Sequence, residues 1–335
     1  MAMAMPAYIP SPSINSFHLG PLEIHFYALM YLVGITAAVI ITRRRWHAVG
    51  GNPDIVGDIA LWGVPAGIVG GRIYFDITTP MDIPHVWYGV FAIWSGGLGI
   101  WGGIALGTAV SIWRLRRHGV SVAKFMDAVA PALLVAQGFG RIGNYFNKEL
   151  FGGPTSLPWG LEIPYQYRVS GGIPAQDLRF ATFQPTFLYE LIFDFALAAA
   201  LVWLGHHRRI SPPGLFALYV FGYSGYRIFE ESLRVDSSVH IFGLRLNMYI
   251  ASILTIIGAV WFYRSQRRPA PDSDSDGTVS DGTDSADGIA SDEAPVSDEA
   301  AASDVSNSAA ASAEEAVPAP SGDAGESRDS EQTAS

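Results

Sequence analysis

The 335-residue chain contains no cysteine and has few charged residues. Without cysteine it has no disulfide framework, no thiolate metal site and no cysteine nucleophile. Charged residues make up 16% of the chain, whereas hydrophobic residues make up 49% and the mean hydropathy is +0.24. This balance is typical of membrane proteins. We therefore expect membrane lipid around the protein and no nucleic acid among its partners.

Several catalytic patterns are also missing. There is no H-E-x-x-H motif and no pair of carboxylates at a catalytic spacing, which argues against an intramembrane metalloprotease or aspartyl protease. We expect no metal and no cofactor. The N-terminus has no positive segment before its first apolar run, which argues against a cleaved signal peptide.

The net charge of −10 averages two unlike parts of the chain. Residues 269–335 hold 17 acidic residues, one basic residue and no aromatic residue, which leaves 14 acidic and 20 basic residues in 1–268. A segment of that composition cannot bury enough apolar area to offset its chain entropy. We therefore expect a disordered acidic tail that lies outside the catalytic domain. A solubilising or crowding role is favoured for it over specific binding.

Seven segments are apolar enough to cross a hydrocarbon core of about 30 Å. The sequence predicts an all-α, polytopic membrane protein with a transmembrane catalytic domain over 24–268. Residues 1–23 form a segment before it. The predicted spans lie near residues 24–42, 55–77, 87–113, 125–146, 184–204, 214–233 and 247–263.

Basic clusters follow the first, third, fifth and seventh predicted spans, beginning with Arg43-Arg44-Arg45. The positive-inside rule places these ends in the cytoplasm. The N-terminus is then external, the acidic tail is cytoplasmic, and the loop 147–183 is external. Its many glycines and prolines predict a turn-rich, non-helical loop. Loops of this length are often functional.

Two polar clusters interrupt these apolar segments, one running from Gln137 to Glu149 and the other from Tyr223 to Arg234. A charge at membrane depth costs roughly 2.5–3.5 kcal/mol on insertion scales, so its presence indicates a function. Both clusters fall in the outward halves of their spans. Two fixed cations that face one cavity suit an anionic lipid headgroup.

The spacing within each cluster places its polar residues on one helical face. One face carries Gln137, Arg141 and Asn144, and the other carries Tyr223, Arg227, Glu231 and Arg234. Glu231 is spaced to pair with both arginines of its own face. We expect arginine to exceed carboxylate unless Glu149 or Glu230 also pairs, and an unpaired guanidinium suits bidentate phosphate binding. Asp127, Glu190 and Asp194 are interpreted as packing or capping groups.

Glycine recurs in two patterns. Gly138, Gly140 and Gly143 match G-x-G-x-x-G, but no strand precedes them, so a dinucleotide site is excluded. They either interrupt the helix and expose N–H groups beside Arg141, or allow close helix packing. Small residues also recur at every fourth position, at Ser95, Gly99, Gly103 and Gly107. This stripe favours close packing of a neighbouring helix.

At these residues the chain resembles the bacterial prolipoprotein diacylglyceryl transferase family. Residues 140–152 are similar to the family pattern G-R-x-G-N-F-x-N-x-E-x-x-G. Further matches occur in the family's order over about residues 20–265: Ile24-His-Phe-Tyr27, Gly70-Gly-Arg72, Trp94-x-Gly-Gly97, Gln184-Pro-x-x-Leu-Tyr189-Glu190 and Tyr223-x-x-Tyr-Arg227-x-x-x-Glu231-x-x-Arg234.

The resemblance implies a reaction. Diacylglyceryl is transferred from phosphatidylglycerol to the lipobox cysteine of a preprolipoprotein signal peptide, and glycerol 1-phosphate is released, at the bacterial plasma (inner) membrane. It implies catalytic roles for Arg141, Arg227 and Tyr27. The substrate-binding residues it implies are Arg141, Asn144, Asn147, Glu149, Gly152, Tyr223, Glu231, Arg234, Gly97 and Trp101.

One position departs from the family. Many relatives carry histidine, a candidate base, where this chain has Trp101, and indole cannot accept a proton. His25, Tyr27 or Glu231 are alternative bases. Otherwise local positive potential ionises the substrate thiol, whose reference pKa is about 8.5, and we favour this interpretation.

A different class of function is also compatible with the glycine-rich segments. A transporter or channel for an anionic solute uses broken helices and lines its pathway with cations. The concentration of polar residues at one depth and the lack of an evident inverted repeat argue against it.

Overall fold

The structure is a computed structural model that describes residues 8–267 except 21, 172 and 236–239. The predicted acidic tail, 269–335, and the first seven residues lie outside the described residues. The helices are α1 (Phe26–Ala48), α2 (Asp54–Thr78), α3 (Ile100–Arg117), α4 (Val122–Asn147), α5 (Tyr165–Ser170), α6 (Thr186–His207), α7 (Gly214–Leu233) and α8 (Leu246–Arg267).

Three small antiparallel hairpins flank these helices. They pair β1 (Ser16–Leu19) with β2 (Leu22–His25), β3 (Leu161–Glu162) with β4 (Thr182–Phe183), and β5 (His240–Ile241) with β6 (Leu244–Arg245). Short 3-10 turns lie at Pro80–Asp82, Gly89–Phe91, Ile93–Ser95 and Ala175–Asp177. The fold is therefore mostly helical, as predicted.

Each of the seven predicted spans contains one long helix, but not every one of these helices is apolar enough to count as a membrane span. Among the described residues, five helices are long and apolar enough to cross a membrane, namely α1, α2, α4, α6 and α8. The other two, α3 and α7, each carry three charged residues. The helical membrane architecture is confirmed, whereas the count of seven spans stays a prediction.

The third predicted span, 87–113, is only partly helical. Gly96 and Gly97 have φ values of 84° and 82°, in the left-handed region that glycine tolerates, and α3 begins only at Ile100. The preceding segment is held by Arg72, a buried residue of α2. Its guanidinium donates to the carbonyls of Gly89 and Val90, at 2.5 and 2.9 Å, and to that of Gly96 at 2.7 Å.

Glycines set the closest helix contacts. A Cβ on Gly103 would lie 3.2 Å from the carbonyl oxygen of Gly67, and a Cβ on Gly107 would lie 3.2 Å from that of Gly63. The stripe on α3 therefore packs directly on the backbone of α2, as the packing interpretation predicted. The same two helices form the most extensive helix pair, followed by α1 with α4 and α7 with α8.

Helix α4 runs without interruption from Val122 to Asn147, so the idea that its glycines break the helix is wrong. Gly138 lies against Phe195 and Leu191 of α6, and Gly143 lies against the ring of Tyr27 on α1. These glycines allow two neighbours to approach the helix closely. They bring α1 and α6 to the face that carries Arg141.

The loop 147–183 is a folded unit, and the prediction that it is wholly non-helical is wrong for α5. Its hairpin and α5 enclose a small core of Phe151, Leu161, Ile163, Ile173, Phe183 and Phe187. The N-terminal segment joins this unit, because Ile9 pairs with Leu161 and the Tyr145 hydroxyl donates to the Pro10 carbonyl at 2.8 Å. The unit covers the ends of α4 and α6.

Local contacts define where the three helices that carry the polar residues begin. The Ser121 hydroxyl accepts the Lys124 N–H at 3.4 Å at the start of α4, and Pro185 precedes α6. Asp127 of α4 accepts the Phe216 N–H at 2.9 Å in the first turn of α7, which confirms its predicted capping role. The Asp127 cap fixes the start of α7 against α4.

Candidate active site

A buried carboxylate on α6 joins the two polar clusters. Glu190 is fully buried, and its Oε2 lies 2.9 Å from Nε of Arg141 on α4 and 3.3 Å from Nη1 of Arg227 on α7. Its Oε1 accepts the Tyr223 hydroxyl at 2.9 Å. The two arginines that the sequence singled out therefore meet at one carboxylate. The interpretation of Glu190 as a packing or capping group is wrong.

Arg227 is held by three carboxylates. Besides Glu190, its Nη1 pairs with Glu230, and its Nη2 lies 2.7 Å from Oε1 of Glu231. Glu230 and Glu231 are both 1% exposed. Arg227 and these three carboxylates thus face opposite charges, as burial in a low-dielectric interior requires.

Glu231 forms a second junction at the end of α7. Its Oε1 lies 3.6 Å from Nη1 of Arg234, as the sequence spacing predicted, and its Oε2 lies 2.8 Å from Nε of Arg245. Asn247 donates to Oε1 at 3.3 Å. Sequence reasoning missed Arg245 and Asn247, because they lie beyond the polar run that marked the cluster.

The end of α4 carries a chain of hydrogen bonds that leads away from Glu190. Arg141 Nη1 donates to Asn144 Oδ1 at 3.2 Å, and Asn144 Nδ2 donates to Glu149 Oε1 at 2.9 Å. Asn147 Nδ2 donates to the same oxygen at 3.1 Å. Among the described residues Arg141 Nη2 makes no hydrogen bond, so this guanidinium keeps a donor for a ligand.

Arginine exceeds carboxylate by one in the cluster, although Glu190 and Glu230 pair in addition to Glu231. Four arginines, Arg141, Arg227, Arg234 and Arg245, surround three buried carboxylates, Glu190, Glu230 and Glu231. The surplus of arginine is one formal charge among these residues. Asp194 lies one turn beyond Glu190, and neither of its buried oxygens has a hydrogen-bond partner in the described part of the chain.

Gly152 connects the loop to the end of α7. It forms an antiparallel bridge with Arg234, and its N–H donates to the Gln184 carbonyl at 2.8 Å. A Cβ at this position would lie 2.9 Å from the Leu233 carbonyl oxygen and 3.0 Å from Cβ of Gln184. The backbones approach too closely for a side chain, which explains the glycine.

Tyr27 lies beside the α4 cluster. Its ring rests on Gly143, between Arg141 and Asn144 along the helix, and its hydroxyl is 3.0 Å from that of Tyr31. The neighbouring His25 lies 3.9 Å from Glu23 in the exposed hairpin. The Ser16 hydroxyl donates to Glu23 at 2.6 Å and holds the pKa of that carboxyl below its usual range.

Gly97 and Trp101 are not brought to this cluster. The Gly97 carbonyl accepts Nη1 of Arg72 at 3.3 Å, and Trp101 is 44% exposed on α3. Within the described residues, no hydrogen bond or ion pair joins either of them to Arg141 or Arg227. Helix α2 contacts α1 and helix α3 contacts α4, and these contacts join the α2–α3 pair to the rest of the bundle.

Comparison with known proteins agrees with the sequence motifs. A sequence profile described as prolipoprotein diacylglyceryl transferase matches residues 15–264. A phosphatidylglycerol–prolipoprotein diacylglyceryl transferase 2 of Streptomyces coelicolor is 44% identical over 262 residues, covering 76% of this chain and 79% of that protein.

Two further relatives are named phosphatidylglycerol–prolipoprotein diacylglyceryl transferase. That of Frankia alni is 46% identical over 268 residues, covering 78% of this chain and 68% of the relative. That of Bifidobacterium adolescentis is 45% identical over 268 residues, covering 76% of this chain and 79% of the relative. The profile match spans most of the chain and the identities exceed 40%, so the chain belongs to the prolipoprotein diacylglyceryl transferase family.

Proposed function

We propose that this protein transfers the diacylglyceryl group of phosphatidylglycerol to the lipobox cysteine of preprolipoprotein signal peptides. The sulfur–carbon bond of a thioether forms, the bond between the glyceryl carbon and the phosphate oxygen breaks, and glycerol 1-phosphate leaves. The observation that carries the proposal is the convergence of Arg141 and Arg227, from two helices, on Oε2 of Glu190.

The reaction requires the protein to stabilise negative charge in the transition state. Negative charge builds on the phosphate ester as the carbon–oxygen bond breaks. Donors fixed in advance around that charge contribute about 2.7–4 kcal/mol each in comparable sites. A guanidinium with a free edge is suited to this task, because it can bind two phosphate oxygens at once.

The contacts support different roles for the two arginines. Arg141 keeps Nη2 for the phosphate while Glu190 fixes its Nε and Asn144 fixes its Nη1. The Nη atoms of Arg227 are already engaged by carboxylates, so we infer that Arg227 acts by holding Glu190 and adding positive potential. Tyr223 orients the other oxygen of Glu190.

The remaining site residues frame the substrate. Asn144, Asn147 and Glu149 form the hydrogen-bonded wall beside Arg141, while Gly152, Glu231 and Arg234 hold the loop against α7. Tyr27 faces the same region from α1. We infer that Gly97 and Trp101 contact parts of the substrate away from the phosphate, such as an acyl chain at the exposed indole.

The proton of the attacking thiol does not require a dedicated base in this proposal. Glu231 is engaged by arginines and by Asn247, and His25 lies in the exposed hairpin. Positive potential near Arg141 lowers the pKa of the bound thiol from its reference value of about 8.5, and the proton leaves to solvent.

The membrane arrangement follows from charge. We infer seven spans in the bacterial plasma membrane, an external N-terminus, an external loop 147–183 and a cytoplasmic tail. The contact of Ile9 with Leu161 is consistent with this plan, because it requires the N-terminal segment and the loop to share one side. The active site then opens toward the outer leaflet.

A lipidation assay tests the function. Purified protein with phosphatidylglycerol in detergent is expected to increase the mass of a lipobox peptide by one diacylglyceryl unit, measured by mass spectrometry. Arg141→Ala is expected to abolish this while the protein still purifies as a folded monodisperse species. Anion flux in proteoliposomes without any lipidated peptide would favour the transporter instead.

A further inference from the structure

A small cavity lies beyond the end of α4, beside the active site. Its volume is about 260 Å³, and its walls include Asn147, Lys148, Glu149, Tyr167 and Ser170. Asn147 and Glu149 belong to the hydrogen-bonded chain that starts at Arg141. The cavity therefore shares a wall with the site at which the phosphate is expected to bind.

The cavity contains a buried cation. Lys148 is 6% exposed, and within the described residues no carboxylate lies within 4 Å of its ammonium group. The ammonium sits 4.3 Å from the centroid of the Tyr167 ring, close enough for a cation–π contact. Lysine is almost never this buried without an opposite charge beside it, because desolvation of its charge is costly. An anionic ligand would supply the partner.

Lys148 lines the cavity directly after the last residue of α4. Its φ of 56° lies in the left-handed region, so the chain turns away from the helix axis at this residue. The chain has only two lysines, Lys124 and Lys148, beside 19 arginines. An ammonium group is a compact point charge, whereas a guanidinium is a broad plane, so lysine suits a small cavity.

Size and charge restrict the ligand. A volume of 260 Å³ is below the roughly 300–1,000 Å³ of pockets for drug-sized molecules, which excludes a diacyl lipid or a folded peptide segment. Glu149 lines the cavity, but its Oε1 is already the acceptor for Asn144 and Asn147. The cavity suits a small polar anion.

We propose that this cavity binds glycerol 1-phosphate, the product of the transfer, with Lys148 as its counter-ion. The inference rests on the proposed function. A phosphodiester carries one negative charge, whereas the released phosphomonoester carries about 1.5–2 at neutral pH. The product therefore gains more than the lipid from a second cation, and this difference draws it from Arg141 toward the loop.

Product inhibition tests the proposal. The full chain in detergent is assayed for peptide lipidation with added sn-glycerol 1-phosphate, and the same compound is titrated calorimetrically. Lys148→Met is expected to raise the inhibition constant and the dissociation constant about tenfold or more, as loss of a charge-assisted hydrogen bond predicts. Lys148→Arg is expected to stay closer to the wild type.

The other lysine provides a matched control. Lys124 is exposed at the opposite end of α4, and Lys124→Met is expected to leave both constants unchanged. An unchanged inhibition constant in Lys148→Met overturns the proposal, including the case in which only the melting temperature falls because the lysine merely stabilises the helix end. A raised KM for phosphatidylglycerol with unchanged product inhibition would assign the cavity to the lipid headgroup and also overturns it.

A second variant covers the case in which Lys148→Met does not fold. Ser170 is exposed at the edge of the cavity, and Ser170→Glu is expected to weaken glycerol 1-phosphate binding by repulsion. The experiments distinguish a failure of the proposed transferase function from a failure of the proposed glycerol 1-phosphate site. A protein that lipidates peptide with Lys148-independent inhibition refutes the cavity alone, whereas Lys148-dependent binding without lipidation refutes the function and leaves an anion site.

Discussion

Arg141 and Arg227 approach the same atom, Oε2 of Glu190, from two different helices. Two guanidinium groups repel one another, and the shared carboxylate offsets this repulsion. Glu190 is thus the residue that makes the paired-arginine site possible. Its removal leaves both cations without the group that sets their separation.

Glu190→Gln is expected to lower the turnover number about 10²–10³-fold, the loss seen when one electrostatic element of such a site is removed. The isosteric amide keeps the volume and removes the charge. Asp194→Asn is the matched control, one turn further along α6 and also buried. Its oxygens have no hydrogen bond to lose among the described residues, so a loss of less than about threefold is expected. Equal losses in the lipidation assay would contradict the assignment.

Arg227→Met is expected to destabilise the protein more than Arg141→Met. Removal of Arg227 takes an ion-pair partner from three carboxylates at once, and breaking a buried ion pair costs about 3–5 kcal/mol. In the part of the chain that the structure describes, Arg141 pairs with one carboxylate. Thermal unfolding in detergent, followed by tryptophan fluorescence, measures the difference. Equal melting temperatures for the two variants would show that Arg227 does not organise the cluster.

Gly152→Ala is expected to loosen the loop 147–183. The new methyl group would press on the Leu233 carbonyl oxygen and on Gln184, and such overpacking costs about 1–3 kcal/mol. The adjacent Gly153→Ala is the control, since its nearest neighbour would be Val235 at 3.6 Å. Limited proteolysis of the loop, together with lipidation activity, distinguishes the two. Loss of protection in both variants would indicate a general intolerance of this turn.

Gly143→Ala is expected to displace the Tyr27 ring and reduce activity about tenfold, because a misplaced site group commonly costs one to two orders of magnitude. Gly140→Ala is the control on the same helix, where the nearest atom, of Tyr31, would be 3.9 Å away. That variant is expected to keep its activity and to gain up to about 1 kcal/mol from improved helix propensity. Full activity of Gly143→Ala would remove Tyr27 from the site.

The helices were largely predictable, because each long apolar segment leaves a clear signal in composition. The missed boundaries have local causes. The left-handed Gly96 and Gly97 delay α3, and a polar, proline-rich loop gave no periodic signal for α5 or its hairpin. A hydropathy pattern cannot detect a small core that is assembled from residues scattered between Phe151 and Phe187.

The site was predictable in part. Helical spacing placed Arg141 with Asn144 and Arg227 with Glu231, since contacts within one helix follow from its period. The contacts between helices did not follow, and so the role of Glu190 was missed. A lone glutamate in an apolar helix was the available signal, because charge at membrane depth indicates a function. Nothing in the spacing connected Arg245 to Glu231.

The pairing of Ile9 with Leu161 sets an order of events during biosynthesis. About 150 residues separate the two partners, and at roughly 5–20 residues per second the ribosome needs about 8–30 s to supply the second. During that interval the backbone N–H and C=O groups of Ile9 lack the partners they have in the folded protein. A bulky fusion placed directly before residue 8 would hinder the late pairing of Ile9 with Leu161. Reporter tags are therefore better attached at the opposite terminus.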